Sequence, residues 1–180
     1  MPTAIVIMGV GGSGKTTVGG LLAHRLGVRY LDADSLHPVA NIEKMRSGCP
    51  LNDDDREPWL TAVAELLARS IAGGDGVVVS CSALKRRYRD MLRVHPAVCF
   101  LHLAGRVDVV RARLAARSDH FFGIELLASQ FADLEPLEPD EHGALLDIGP
   151  APDEIADAAE AALAVLWARP APDIERTAEL

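Results

Sequence analysis

The chain has 180 residues, of which 49% are hydrophobic and only 4% aromatic, and this composition suits one domain with an aliphatic α/β core. Its net charge of −8 disfavours nucleic-acid binding, because an acidic surface repels phosphodiester backbones. The sequence has no apolar run of 18 residues, no export signal and an odd number of cysteines without metal-site spacing, so we expect a cytoplasmic protein with no membrane partner.

Five short apolar runs alternate with longer segments of helical periodicity. The predicted strands cover residues 4–8, 29–31, 76–80, 98–103 and 144–148. Continuous apolar runs predict strands buried on both faces, and the segments between them have the apolar spacing of amphipathic helices. This alternation predicts a parallel sheet with helices on both faces. We expect one domain over residues 1–168, with an acidic surface loop at 132–143 and a flexible tail at 169–180.

A phosphate-binding motif follows the first predicted strand. The sequence Gly9, Val10, Gly11, Gly12, Ser13, Gly14, Lys15, Thr16 matches G-x-x-x-x-G-K-[ST], and Thr17 comes next in a predicted helix. The glycines let backbone N–H groups surround phosphate oxygens, and the helix adds its positive N-terminal dipole. Lys15 would bind the β- and γ-phosphates, and the Thr16 hydroxyl would bind Mg²⁺. The motif therefore predicts ATP and Mg²⁺ as cofactors, the alternative being a glycine-rich turn without a ligand.

Two common classes of P-loop protein are disfavoured by what the sequence lacks. GTPases read guanine with an N-K-x-D motif, which is absent. Motor-type ATPases usually end a strand with an aspartate, whereas the Val77–Val79 run continues into Ser80, Cys81 and Ser82. A small-molecule kinase can function without that acid, because phosphoryl transfer mostly needs positioning and charge neutralisation.

Two acids, Asp32 and Asp34, follow the second predicted strand. They lie at the carboxyl edge of the sheet, where open α/β folds bind ligands. Residues two apart leave a strand on the same side, so one acid could face the metal and the other a substrate hydroxyl. The alternative is that these residues only form a turn or cap a helix. Their position beside a P-loop favours the functional interpretation.

Several longer segments point to one family. They are Asp32-Ala33-Asp34-Ser35-Leu36-His37-Pro38, Leu51-Asn52-Asp53-Asp54-Asp55-Arg56 with Pro58-Trp59-Leu60, and Cys81-Ser82-Ala83-Leu84-Lys85. Together with the P-loop, they resemble the gluconokinase family, relatives of shikimate kinase within the nucleoside-monophosphate-kinase-like P-loop fold. The resemblance spans about residues 4 to 150, and Gly11 departs from the usual Ser or Ala. It implies a five-stranded parallel sheet of order 2-3-1-4-5, a substrate-binding helical insertion at about 37–58, a lid at about 117–130, and a homodimer.

The resemblance also implies a reaction, ATP + D-gluconate → ADP + 6-phosphogluconate, and roles for its residues. Asp34 would orient or deprotonate the 6-hydroxyl, and Asp32 would be an outer-shell Mg²⁺ ligand. Arg117 would close on the transferring phosphate and Arg113 would lie near the adenine, unless these arginines only neutralise nearby acids. The implied catalytic set is Lys15, Asp34 and Arg117.

The sugar acid needs a cation for its carboxylate and polar groups for its hydroxyls. The further candidates are His37, Asn41, Lys44, Arg56, Lys85 and Gln130. Arg56 can bind a carboxylate through two parallel hydrogen bonds. The alternatives are that Arg56 only pairs with Asp53–Asp55, that Lys85 belongs to a solvated basic face with Arg86, Arg87, Arg89 and Arg93, that His37 shapes the turn before Pro38, and that Lys44 is plain surface. We interpret Trp59 as a packing residue rather than a stacking platform.

Two other functions stay open at the level of sequence. One is a kinase for another small acid or polyol, such as shikimate. The other is a nucleotide-sensing P-loop module without transfer activity, which the paired aspartates and the Arg113–Arg117 pair argue against.

Overall fold

The computed structural model describes residues 3–116 and 124–168, which form a parallel sheet with helices on both faces. Strands β1 to β5 cover Ala4–Met8, Arg29–Asp32, Val77–Ser80, Val98–Ala104 and Gly143–Asp147. Helices α1 to α7 cover Lys15–Leu26, Val39–Arg46, Asp53–Ala72, Arg86–Leu92, Val107–Ala115, Ile124–Asp133 and Pro152–Trp167, and a short 3₁₀ helix spans Ala33–Leu36. All strands pair in parallel in the order β2-β3-β1-β4-β5, which confirms the predicted topology.

The central strand β1 is buried on both faces. Ile5 and Ile7 belong to an apolar cluster formed with residues of α1 and α7, whereas Val6 and Met8 belong to a second cluster with residues of α3 and α4. A strand covered in this way needs apolar side chains at every position, which explains its uninterrupted apolar run.

The register of the sheet brings the ends of three strands together. Asp32 at the end of β2 pairs with Ser80 at the end of β3, and Ser80 pairs with Ile7 near the end of β1. The backbone N–H of Gly9 then donates to the carbonyl of Ser82 at 3.2 Å. The P-loop and the acidic pair are therefore separated by one strand, at the carboxyl edge of the sheet.

A buried ion pair joins helix α4 to the loop before β5. The Arg89 and Glu141 side chains are both fully buried, and the Arg89 Nε lies 2.6 Å from a Glu141 carboxylate oxygen. The Arg89 guanidinium also donates to the carbonyls of Leu84, Glu135 and Pro136 at 3.0–3.1 Å. The alternative that placed Arg89 on a solvated basic face is therefore wrong. The acidic loop at 132–143 is likewise only partly a surface loop, because Glu141 is anchored in the interior.

Several domain-level expectations concern segments beyond this core. Helix α2 and the first turns of α3 lie within the expected insertion at 37–58. The expected tail at 169–180 and residues 117–123 of the expected lid lie outside the described residues. Within residues 3–116 and 124–168, no helix is both long and apolar enough to cross a membrane.

Candidate active site

The P-loop connects β1 to α1 through backbone conformations that glycine adopts most easily. Gly9 has a φ of +141°, and an added Cβ would lie 2.8 Å from the Leu103 carbonyl oxygen. Gly12 has a φ of +81°, and its added Cβ would lie 2.7 Å from the Leu114 side chain. Side chains at either position would force the loop away from the sheet edge. The sequence therefore builds a tight loop that ends where α1 begins, at Lys15.

Lys15 is held over its own loop. Its Nζ donates to the carbonyls of Gly9 and Val10 at 3.0 and 2.9 Å. The buried Ser13 lies beneath the loop, whereas Thr16 and Thr17 are exposed on the first turn of α1. This arrangement places a mobile ammonium group beside the N-terminus of a helix, where an anion is stabilised by both.

Asp32 caps the 3₁₀ helix and also faces the first turn of the P-loop helix. Its Oδ1 accepts a hydrogen bond from the Asp34 backbone N–H at 3.1 Å and so caps the 3₁₀ helix. Its Oδ2 lies 3.4 Å from the Thr16 hydroxyl, which donates to it. The capping interaction therefore fixes a carboxylate in front of the P-loop helix rather than replacing a role in the site.

Asp34 lines the same cleft, and 57% of its side chain is exposed through the cleft opening. The surrounding protein raises the pKa of Asp34 by desolvation, the negative charge of Asp32 raises it further, and Lys15 opposes both effects. The Asp34 carboxyl is consequently more basic than an ordinary aspartate.

One cavity of about 310 Å³ joins the P-loop to the acidic pair. The predicted site residues that line it are Gly11, Gly12, Gly14, Lys15, Thr16, Thr17, Asp32, Asp34, His37, Arg56 and Gln130. Its other lining residues include Met45, Pro50, Leu51, Ser82, Leu126 and Ser129, which the sequence analysis did not select as ligand contacts. These are mostly apolar or small residues, and although Leu51 and Ser82 belong to the segments that carry the family resemblance, only the fold shows that they line the cavity.

His37 and Trp59 form one wall of the cavity. Their rings stack with centroids 4.1 Å apart, and the Trp59 indole N–H donates to the Ala33 carbonyl at 2.7 Å. Trp59 is only 1% exposed, in agreement with its interpretation as a packing residue. Burial, together with the positive charge of Arg56, lowers the pKa of His37 to about 4. The imidazole is therefore neutral near pH 7 and can both donate and accept hydrogen bonds.

Arg56 and Lys85 both form ion pairs with Asp133, and Lys85 also pairs with Asp53. Arg56 Nη1 lies 3.0 Å from the Tyr88 hydroxyl and 3.5 Å from Asp133, and the Tyr88 hydroxyl donates to Asp53. Lys85 Nζ lies 3.2 Å from Asp53 and 3.4 Å from Asp133. Lys85 does not belong to a solvated basic face, because its side chain is only 22% exposed and pairs with both acids.

Asn41 and Lys44 support the start of α3 and do not line the cavity in this structure. Lys44 Nζ contacts the Asp55 carboxylate at 2.5 Å, and the Asn41 amide donates to the Asp55 carbonyl at 2.6 Å. Asp55 in turn forms a capping box with Asn52 at the first turn of α3. Asn41 also contacts the cavity-lining His37, with 3.4 Å between the Asn41 amide nitrogen and His37 Nδ1, whereas the Lys44 contact is to the first turn of the helix that carries Arg56.

Two further predicted residues, Arg113 and Gln130, lie beside the P-loop. The Arg113 guanidinium donates to the Ile148 carbonyl at 2.6 Å, and it is the only group among the described residues within 4 Å of a Cβ added at Gly14. The Gln130 side-chain oxygen accepts a hydrogen bond from the Gly11 backbone N–H at 2.5 Å. Arg117 lies outside the described residues.

Comparison with known proteins identifies the family. The model of the shikimate kinase family matches residues 11–122. The thermoresistant gluconokinase of Escherichia coli K12 is 46% identical over 142 residues, which cover 78% of this chain and 81% of that enzyme. The chain belongs to the gluconokinase family. As a member of this family it is an ATP-dependent small-molecule kinase, and the resemblance drawn from its motifs is confirmed.

Two solved structures share this gluconokinase fold. An unliganded sugar kinase from a Janibacter species has a TM-score of 0.88 at 43% identity and covers 92% of this chain and 96% of its own. A gluconokinase from Sinorhizobium meliloti has a TM-score of 0.84 at 43% identity, with coverage of 92% and 93%.

Proposed function

We propose that this protein transfers the γ-phosphoryl group of ATP to the 6-hydroxyl of D-gluconate. The observation that carries the proposal is that Lys15, Asp34 and Arg56 line one cavity. A phosphate-binding lysine, a carboxylate of raised pKa and a guanidinium are the three groups needed to hold a triphosphate, an alcohol and a carboxylate.

The donor side of the reaction is assigned to the P-loop. The backbone of residues 9–14 would surround the phosphates, and Lys15 would exchange its contacts with the loop carbonyls for phosphate oxygens. Arg113 lies against the loop that follows β5 and would flank the adenine. Arg117 and the lid at about 117–130 would close over the transferring group and exclude water, as the family resemblance implies.

The oxygen atoms at the P-loop helix suit Mg²⁺. The Thr16 hydroxyl and the Asp32 carboxylate lie 3.4 Å apart, and Mg²⁺ prefers a few oxygen ligands while keeping several waters. Mg²⁺ bound at this position would neutralise phosphate charge, with Thr16 as direct ligand and Asp32 acting through water.

The acceptor side is assigned to Asp34, His37 and Arg56. Asp34 would accept a hydrogen bond from the 6-hydroxyl and align it for in-line attack. His37, neutral and held by Trp59, would contact another hydroxyl, and Arg56 would bind the carboxylate. Asn41, Lys44 and Lys85 stay predicted contacts in the outer part of the acceptor site, and Gln130 stays a predicted acceptor contact beside the P-loop.

Purified protein with ATP and Mg²⁺ tests the assignment in a coupled assay for ADP release. The acceptors are D-gluconate, shikimate and the uncharged polyol D-glucitol, with ATP alone as the background. We expect turnover with gluconate well above background and one product phosphorylated at carbon 6 by ³¹P NMR. Turnover only with shikimate or glucitol would reassign the substrate, and ATP binding without turnover on any acceptor would identify a nucleotide sensor.

The organisation of the molecule is part of the same proposal. We infer a homodimeric cytoplasmic enzyme with one kinase domain at 1–168, a substrate-binding insertion at 37–58 and a flexible tail at 169–180. Light scattering on the full-length chain gives the mass of the assembly directly. A monomer at assay concentration would contradict the dimer without affecting the catalytic assignment.

A further inference from the structure

The Asp133 carboxylate bridges Arg56, which lines the cavity, and Lys85, which is not among the lining residues. Asp133 is the last residue of α6, and its side chain is 30% exposed. One of its oxygens lies 3.5 Å from Arg56 Nη1 and the other lies 3.4 Å from Lys85 Nζ. A carboxylate shared between a guanidinium and an ammonium is the arrangement that a bound sugar acid would make with the same two residues.

The charged side chains around Arg56 and Lys85 form a cluster whose positive and negative charges do not balance. Arg56, Lys85 and Arg87 are the cations, and Asp53 and Asp133 are the anions that contact them. The cluster therefore carries one net positive charge, which a single substrate carboxylate would neutralise. If Asp133 were neutral, the cluster would carry two positive charges and attract an anionic acceptor more strongly.

We propose that Asp133 is a specificity-determining residue that competes with the acceptor's carboxylate for Arg56 and Lys85. This inference rests on the proposed function. Asp133 weakens the binding of every acidic acceptor, so only acids whose hydroxyls also fit the cleft bind well. An uncharged polyol gains nothing from the two cations and is unaffected by Asp133.

Helix α6 also contributes a side-chain oxygen, from Gln130, to a backbone N–H of the P-loop. Gln130 lies three residues before Asp133, on the same face of α6, and its side-chain oxygen accepts from the Gly11 N–H at 2.5 Å. Side-chain oxygens of α6 therefore occupy the Gly11 N–H of the P-loop and the two cations Arg56 and Lys85.

The test measures D-gluconate binding by isothermal titration calorimetry to the full-length wild type and to Asp133→Asn. The substitution removes the charge at nearly constant volume, and Asp133→Ala serves as a second variant that removes the oxygens as well. The matched control is Asp140→Asn, an equal change of charge at an exposed acid that pairs with Arg86 outside the cavity. We expect both Asp133 variants to bind gluconate about three- to tenfold more tightly, as removal of one competing carboxylate allows. Asp140→Asn is expected to bind like the wild type.

Two further measurements distinguish competition between Asp133 and the acceptor carboxylate from a structural effect of the substitutions. They are turnover of an uncharged acceptor and the KM for ATP. Coupled-assay turnover of D-glucitol and the KM for ATP are expected to stay within twofold of the wild type in both Asp133 variants. Equal or weaker gluconate binding in both variants would mean that Asp133 positions the cations instead. That result would overturn this inference and leave the proposed function intact. A wild type that neither binds nor phosphorylates gluconate would overturn the proposed function and this inference with it.

Discussion

The Asp32 carboxylate lies 3.4 Å from the Thr16 hydroxyl, so the end of β2 faces the first turn of the P-loop helix. Strand β3 separates β2 from β1, and the contact is possible because all three strands end at one edge of the sheet. Asp32 also caps the 3₁₀ helix that carries Asp34, so one side chain contacts both the P-loop helix and the turn that holds Asp34.

Asp32→Asn is expected to weaken Mg²⁺ binding without abolishing it. An outer-shell carboxylate orients the waters of the ion, and loss of such a group typically weakens metal affinity about 10- to 100-fold. The measurement is the Mg²⁺ concentration for half-maximal turnover at saturating ATP and gluconate. An unchanged Mg²⁺ dependence would remove Asp32 from the metal site, with Asp75→Asn, on the turn after α3, as the control.

The pH profile of kcat/KM should have an acidic limb above the ordinary aspartate range. Asp34 must be ionised to accept a proton, and desolvation and Asp32 both raise its pKa, so activity is lost as pH falls through that raised value. Asp32→Asn removes one of these causes and should move the limb to lower pH. A limb that stays in place in Asp32→Asn would contradict this coupling.

Two buried histidines should make the fold sensitive to acid. Burial lowers the pKa of both His37 and His102 to about 4, and His102 Nδ1 has no hydrogen-bond partner among the described residues. A lowered folded-state pKa means that the unfolded chain binds the proton first, so stability is lost as pH falls below about 6.5. Each histidine should contribute a loss of about 2 kcal/mol between pH 7 and 5.

His102→Gln tests that loss in urea unfolding at pH 7 and pH 5. Because the variant has no group to protonate at this position, its stability should fall less between the two pH values than that of the wild type. His95→Gln, at an exposed position, should retain the full acid sensitivity. Equal pH dependence in His102→Gln and the wild type would exclude His102 as a source of acid sensitivity.

Glu141→Gln should be strongly destabilising. It leaves the fully buried Arg89 guanidinium without its counter-charge, and breaking such a buried pair costs about 3–5 kcal/mol. Asp140→Asn, the adjacent exposed acid, should leave the unfolding midpoint nearly unchanged. Similar unfolding midpoints for the two variants would show that the buried pair is not a structural anchor.

Local patterns predicted most of the fold and the phosphate-binding half of the site. The P-loop motif and the uninterrupted apolar run of β1 are determined by residues close together in the chain. Arg89 could not be interpreted in this way, because its partner Glu141 is 52 residues away and a row of arginines on α4 is typical of a solvated surface. The sequence did not predict a role for Asp133 for the same reason, since that role depends on contacts with Arg56 and Lys85, which lie far away in the chain.

The central claim is that Asp34 acts on the acceptor hydroxyl while the P-loop holds ATP, and single-turnover phosphorylation of D-gluconate by Asp34→Asn tests it most directly. We expect the rate to fall about 100- to 10,000-fold, as the loss of a general base does, with ATP affinity within about threefold of the wild type. Asp75→Asn, carrying the same change in charge far from the cavity, should react at the wild-type rate. A wild-type rate in Asp34→Asn, with ATP and gluconate both bound, would contradict the account.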